Sequence, residues 1–152
     1  MDLFTTPELR EVFVDQLRRT RSRYAFHLYA WVLMPNHVHL LIREPEAGDV
    51  SDLLRSLKGT LARRVMSRWR ELDAPVLDQL SDRGGKMWFW QRGGGYDRNI
   101  VSDDEFDEKV GYIHMNPVRA GLVEKATDWG WGSARWWGGE QEGEIACDSR
   151  EN

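Results

Sequence analysis

The sequence is poor in cysteine, with one copy in 152 residues. That single Cys147 excludes a disulfide framework and any metal site built from cysteines alone. No apolar run approaches the roughly 20 residues needed to span a bilayer, and no signal-peptide pattern opens the chain. The expected compartment is therefore the cytoplasm, with no membrane partner. Positive charge is not in excess either: 21 basic residues face 25 acidic ones, for a net charge of −4. Taken whole, that balance argues against a nucleic-acid partner. Apolar residues are not scarce, and 41% hydrophobic with 30% charged excludes a mainly disordered chain. The length suits one domain able to bury a core without covalent staples.

Local charge tells a different story from the total. Residues 18–70 hold 11 basic and 4 acidic side chains, an excess of seven positive charges. Residues 71–111 hold 5 and 10, and residues 140–152 hold 1 and 5. A polyanion responds to the nearest patch, so residues 18–70 are a candidate nucleic-acid surface. Solvated helix faces explain the same charges equally well. Tryptophan is abundant, with eight copies, four of them at Trp129, Trp131, Trp136 and Trp137. Indoles stack on unpaired bases, but they also serve as large core residues, and composition does not choose between these.

Periodicity outlines the elements. Thr6 and Pro7 open a helix over 7–21, with Leu9, Val12, Phe13 and Leu17 as its apolar stripe. Residues 24–33 read as a strand, on which His27 shares a face with Tyr29, Trp31 and Leu33. Met34-Pro35-Asn36 reads as a turn. Residues 37–43 alternate: His37, His39, Leu41 and Arg43 face one way, and Val38, Leu40 and Ile42 the other. The two strands suggest an antiparallel hairpin. A helix over 51–71 buries Leu53, Leu57, Leu61, Val65 and Trp69, while Arg55, Lys58, Arg63, Arg64, Arg68 and Arg70 occupy much of the remainder. Residues 86–91 read as a third strand, and Gly93-Gly94-Gly95 as a loop. Ser102 with Glu105 opens a last helix near 103, which Pro117 kinks or ends after about 115. Residues 1–139 form one domain, and the acidic stretch 140–152 is expected to be a disordered tail. Mixed strands and helices around a hairpin point to an α+β fold.

Two small groups could carry chemistry. His37 and His39, two apart on a strand, project from one face and could chelate a divalent cation as neutral imidazoles. A half-buried strand face without a metal explains them too. Tyr112 and Asn116 lie four apart on the last helix, so they share a face. That face differs from the apolar one marked by Phe106, Val110 and Ile113. A tyrosine hydroxyl can attack phosphorus, and an amide oxygen one turn on could complete a metal site. A half-buried tyrosine and a helix-ending Asn-Pro are the plainer explanation. His27 and His114 read as structural or surface residues.

These residues resemble a known family. Trp31-Val-Leu-Met-Pro-Asn-His37-Val-His39-Leu-Leu resembles the HUH motif of single-tyrosine transposases, and more narrowly of REP-associated tyrosine transposases, relatives of the insertion-sequence-200 type. Trp90-Gln91-Arg92 with Tyr96-Asp97-Arg98 is similar to their linker before the last helix. Tyr112-Ile-His-Met-Asn116-Pro-Val-Arg-Ala-Gly-Leu-Val123 is similar to their tyrosine helix, and Trp129-Gly-Trp131-Gly-Ser133-Ala to their closing segment. The likeness runs through about residues 3–137.

The resemblance implies a ferredoxin-like antiparallel sheet with helices mainly on one side. The histidines would stand on a middle strand, with the tyrosine helix lying across their face. It implies a metal-dependent endonuclease and strand transferase acting on single-stranded DNA, at hairpin-forming repeats. His37, His39 and Asn116 would bind Mg²⁺ or Mn²⁺, and Tyr112 would be the nucleophile that forms a 5′-phosphotyrosine. Arg55, Lys58, Arg63, Arg64, Arg68, Arg92, Arg98 and Arg119 would contact DNA. The molecule would be a monomer or a homodimer. A DNA-binding remnant without catalysis is the alternative, and an unrelated zinc-binding scaffold is a third reading. Two departures stand out. Family members usually begin with a further strand, in whose place this chain has only Leu3-Phe4, so that strand is expected to be missing and a sheet edge open. They also tend to carry a bulky residue where Gly93-Gly94-Gly95 stands here.

Overall fold

The structure, a computed structural model, describes residues 4, 6–43, 48–71, 102–139 and 145–150. The strand expected over 86–91, the glycine loop and the linker residues Arg92 and Arg98 lie outside the described residues. Helix α1 spans Pro7–Tyr24. Its start follows from Thr6, whose hydroxyl accepts a hydrogen bond from the Leu9 amide at 3.4 Å, and from Pro7, whose missing N–H costs nothing in the first turn. Ala25, at φ 52°, closes the helix in the left-handed region. Strands β1, His27–Leu33, and β2, Val38–Arg43, form the expected antiparallel hairpin. Helix α2 covers Val50–Glu71. Asp49 caps it by accepting from the Asp52 amide at 2.8 Å, and the four-residue leucine repeat faces inward as expected. Helix α3 covers Asp103–Arg119, and a four-residue helix α4 covers Ala134–Trp137. No helix among the described residues is long and apolar enough to cross a membrane.

The sheet separates two apolar clusters. Phe26, Leu28, Trp31 and Leu33 of the hairpin pack with α1 and α2. Tyr29, Ala30, Val32 and Met34 pack with Phe106, Val110 and Ile113 of α3. Burial on both faces explains the unbroken apolar run of β1. The expectation that His27, Tyr29, Trp31 and Leu33 share one face is corrected here. A β-bulge between Leu28 and Ala30 inserts an extra residue, so Tyr29 turns to the α3 side while Trp31 and Leu33 face α1 and α2. β2 has no such fault. Val38, Leu40 and Ile42 pack on the first cluster and Leu41 on the second, so its alternation reads as the sequence does.

The outer edge of β1 is not open. The Leu33 amide donates to the Trp131 carbonyl at 2.8 Å, and the Ser133 amide donates to the Trp31 carbonyl at 2.9 Å. The indole N–H groups of Trp137 and Trp129 donate to the carbonyls of Tyr29 and Leu33, at 2.8 and 3.0 Å. These two tryptophans therefore cover a sheet edge. The last stretch extends the same cover. Asp148 donates its amide to the Leu28 carbonyl at 2.8 Å and accepts from the Leu28 amide at 2.9 Å, while Ile145 is buried in the core. The disordered tail expected over 140–152 is thus corrected across 145–150. An unpaired strand edge and Arg21, which pairs with Asp148 at 2.6 Å, give that acidic segment a place to bind.

Candidate active site

The hairpin turn places the first histidine. The Met34 amide donates to the His37 carbonyl and the Phe4 amide to the Pro35 carbonyl, both at 2.8 Å, so the turn is tied on both sides. His37 is exposed just before β2, and its Nδ1 donates to Asn36 Oδ1 at 2.5 Å. An amide oxygen only accepts, so the ring proton sits on Nδ1 and the Nε2 lone pair stays free. His39 pairs in register with Val32 and so faces α3. The two imidazoles lie 4.9 Å apart, centroid to centroid, at 84°. Partial desolvation against the protein lowers both pKa values, and for His39 the positive charges of His37, Arg119 and Lys109 lower it further. Neutral rings, the form that binds a cation, are favoured at neutral pH.

Helix α3 supplies the second half. Phe106, Val110 and Ile113 bury one stripe against the sheet. Tyr112, one position away from Ile113, is left 50% exposed. Its ring lies 6.2 Å from the His39 ring at 88°. The helix does not end before Pro117, as expected, but runs through it to Arg119. Proline has no N–H to offer the Ile113 carbonyl. The Asn116 side chain compensates: its Nδ2 donates to the carbonyls of Tyr112, at 3.2 Å, and Ile113, at 3.4 Å. That bonding holds the amide nitrogen against the backbone and leaves Oδ1 as the outward acceptor. Two imidazole nitrogens and one amide oxygen suit a divalent cation such as Mg²⁺, Mn²⁺ or Zn²⁺. No cluster of three His, Cys, Asp or Glu side chains is found among the described residues.

The expected DNA-contacting residues divide. Arg55 and Arg68 are exposed and pair with Asp52 and Glu71 one turn away, at 3.6 and 3.4 Å. Arg63 is exposed and donates to Thr60 at 3.2 Å. Arg64 is turned between helices, reaching Asp15 and Gln16 of α1 at 2.9 Å each, so it braces α1 to α2. Lys58 is half-buried. Arg119 belongs to the tyrosine instead: its guanidinium carbon lies 4.0 Å from the Tyr112 ring centroid. The sequence reading missed Lys109, whose Nζ lies 5.3 Å from the same centroid, and Asn36, which fixes the His37 tautomer. Lys109 was detectable as the residue three before Tyr112, on the same helical face.

His114 is structural. Its Nε2 lies 2.8 Å from Ser133 Oγ. That hydroxyl also accepts from the Trp31 amide at 2.9 Å and reaches the Trp31 carbonyl at 3.2 Å. Ser133 is 1% exposed. The joint locks α3 to β1, and burial lowers the His114 pKa to about 4.

Comparison with known proteins adds the family context. Residues 2–116 match the family described as "Transposase IS200 like", a span that takes in both histidines, Tyr112 and Asn116. The chain is 27% identical over 126 residues to a Haemophilus influenzae protein described as a REP-associated tyrosine transposase, covering 80% of this chain and 66% of that one. It is 29% identical over 104 residues to the REP-associated tyrosine transposase of Escherichia coli K12, covering 68% and 52%. It is also 27% identical over 81 residues to the ISDra2 transposase TnpA of Deinococcus radiodurans, covering 53% and 54%. The chain thus spans between about half and two thirds of the length of these relatives. A solved structure of a REP-associated tyrosine transposase bound to a REP hairpin matches with a TM-score of 0.70, over 97% of this chain and 78% of that one. At 21% identity that likeness shows the α+β fold. With three quarters of its length matched by the family model, this chain belongs to the IS200-like transposases.

Proposed function

We propose that the protein is a metal-dependent endonuclease and strand transferase that acts on single-stranded DNA at hairpin or repeat sequences, with Tyr112 as nucleophile. The observation that carries the reading is the approach of Tyr112 to His39 at 6.2 Å, with His37 a further 4.9 Å from His39. Residues 73 positions apart in the chain meet on one side of the hairpin, and their donor atoms are the ones the chemistry needs. His37 and His39 offer imidazole nitrogens and Asn116 its amide oxygen. A divalent cation held by them, Mg²⁺ or Mn²⁺, would polarise the scissile phosphate and orient it for in-line attack.

In the step itself, Tyr112 Oη forms a bond to phosphorus while the bond from phosphorus to the 3′ oxygen breaks. The phenol proton passes to solvent, and the departing 3′ oxygen takes one up. The products are a 5′-phosphotyrosine and a free 3′-hydroxyl. Attack by a 3′-hydroxyl reverses the step and rejoins a strand without ATP, because the covalent link keeps the phosphodiester's free energy. The exposed Arg63 and the weakly paired Arg55 and Arg68 would follow the DNA backbone. The relative solved with a REP hairpin supports a hairpin as partner.

The test is nicking of a labelled single-stranded hairpin oligonucleotide by the wild type and by His39→Ala. Cleavage that needs Mg²⁺ or Mn²⁺ and disappears in the variant supports the proposal. Tight binding with no cleavage under any divalent cation favours a DNA-binding remnant.

A further inference from the structure

Arg19, Arg21, Arg55, Arg64, Arg68 and Arg150 each lie between 2.6 and 3.6 Å from a carboxylate. Two basic residues on α3 do not. Among the described residues, neither Lys109 nor Arg119 is in an ion pair, and both are directed at Tyr112. Arg119 lies over the ring at 4.0 Å, and its Nη2 donates to the Tyr112 carbonyl. Lys109, one turn before Tyr112, brings Nζ to 5.3 Å from the ring centroid. The tyrosine therefore stands between two positive charges, approached from the N-terminal and C-terminal directions of its helix.

Ring stacking alone explains one cation beside a tyrosine. It does not explain why two cations on a helix that opens with Asp103, Asp104 and Glu105 both leave carboxylates aside and converge on one phenol. An exposed pair of uncompensated charges is a seat for an anion. Arg119 is anchored through one N–H to a backbone carbonyl, which fixes its plane and leaves its other N–H groups to donate. The anion that comes to Tyr112 in the proposed reaction is a phosphate. As the phenolic oxygen adds to it, negative charge builds on the non-bridging oxygens, and preorganised donors lower the barrier there.

We propose that Lys109 and Arg119 form a two-armed clamp for the non-bridging oxygens of the phosphate transferred to Tyr112, and that the clamp then holds the phosphotyrosine product. This rests on Tyr112 being the nucleophile. Arg119 contacts DNA in this view, but at the reacting phosphate rather than along the backbone.

The experiment compares wild type, Lys109→Gln, Arg119→Gln and Arg119→Lys. One arm measures the salt dependence of binding to a single-stranded hairpin oligonucleotide. Each Gln variant should lower the salt slope by about one, the value of one lost phosphate contact, and Arg119→Lys should keep it. The other arm measures single-turnover adduct formation on the oligonucleotide that the wild type nicks. The cleaved linkage is supplied either as a normal phosphodiester or as an uncharged methylphosphonate. Each Gln variant should slow the phosphodiester reaction by about 100-fold and the methylphosphonate reaction only a few-fold. Equal slowing on both linkages, or an unchanged salt slope, overturns the clamp and leaves a structural brace. If the wild type forms no adduct with any divalent cation, the nucleophile reading fails. The salt slope then still decides whether an anion seat exists. Lys109→Gln lies on a half-exposed helix face and tests the clamp even if the Arg119 variants unfold.

Discussion

Helices α2 and α3 both carry basic residues, and they use them differently. On α2, Arg64 spans to Asp15 and Gln16 of α1, and Arg55 and Arg68 pair along their own helix. On α3, Lys109 and Arg119 have no carboxylate partner among the described residues and flank an exposed tyrosine. Three of the six basic residues of α2 thus meet a carboxylate, whereas both of those on α3 meet an aromatic ring. Charge counting locates a basic region, but only partners show which cations remain to meet an anion.

The largest expected effect lies on α3. Tyr112→Phe keeps the ring, so Lys109 and Arg119 retain their neighbour, while the attacking oxygen is gone. Adduct formation should fall by about 1,000-fold or more with DNA binding unchanged, as measured by denaturing gels and filter binding. A phenylalanine variant that nicks at the parental rate would remove the chemical distinction between the two helices.

A smaller loss is expected at the turn. Asn36→Ala leaves the His37 ring free to take the other tautomer, so divalent-metal affinity should drop by about 10-fold to 100-fold. Titration calorimetry with Mn²⁺ checks this. Because partial desolvation lowers the pKa values of His37 and His39, the acid limit of Mn²⁺ binding should lie below the ordinary imidazole midpoint of 6.5.

The His114 joint predicts a stability effect with a definite sign. Its pKa is about 4 folded, against 6.5 for an ordinary imidazole. Between these values the unfolded chain binds the extra proton, so stability falls as pH drops from 6.5 towards 4 and levels off below. His114→Gln should flatten that part of the stability profile, read by urea unfolding at several pH values.

The smallest effects separate two neighbours on α2. Arg64→Ala should lower stability by about 1 kcal/mol and leave the salt slope of DNA binding alone. Arg63→Ala should do the reverse, lowering the slope by about one at constant stability. If both behave alike, exposure and pairing do not sort the basic residues of this helix.

Much of the site was legible in sequence because its parts are local patterns. The alternation of β2 put His37 and His39 on the side away from Val38, Leu40 and Ile42, and a four-residue spacing put Tyr112 beside Asn116. What was not legible depends on distant or irregular contacts. The bulge at Tyr29 follows no period of two, so His27 and Trp31 ended on opposite faces. Pro117 could remain inside α3 because the Asn116 side chain serves the carbonyl that proline leaves unbonded. The acidic tail looked unfit to fold on composition, yet Asp148 found the Leu28 backbone and Arg21. Trp129 and Trp137 read as possible base-stacking groups, whereas their N–H groups close the edge of β1.

The most direct measurement is peptide mapping by mass spectrometry after the full chain is incubated with a single-stranded hairpin oligonucleotide and Mn²⁺, followed by nuclease trimming. A nucleotide remnant joined through phosphate to the peptide bearing Tyr112, absent when EDTA replaces Mn²⁺, is the predicted result. DNA cut without any such adduct, or an adduct on a different residue, would contradict it.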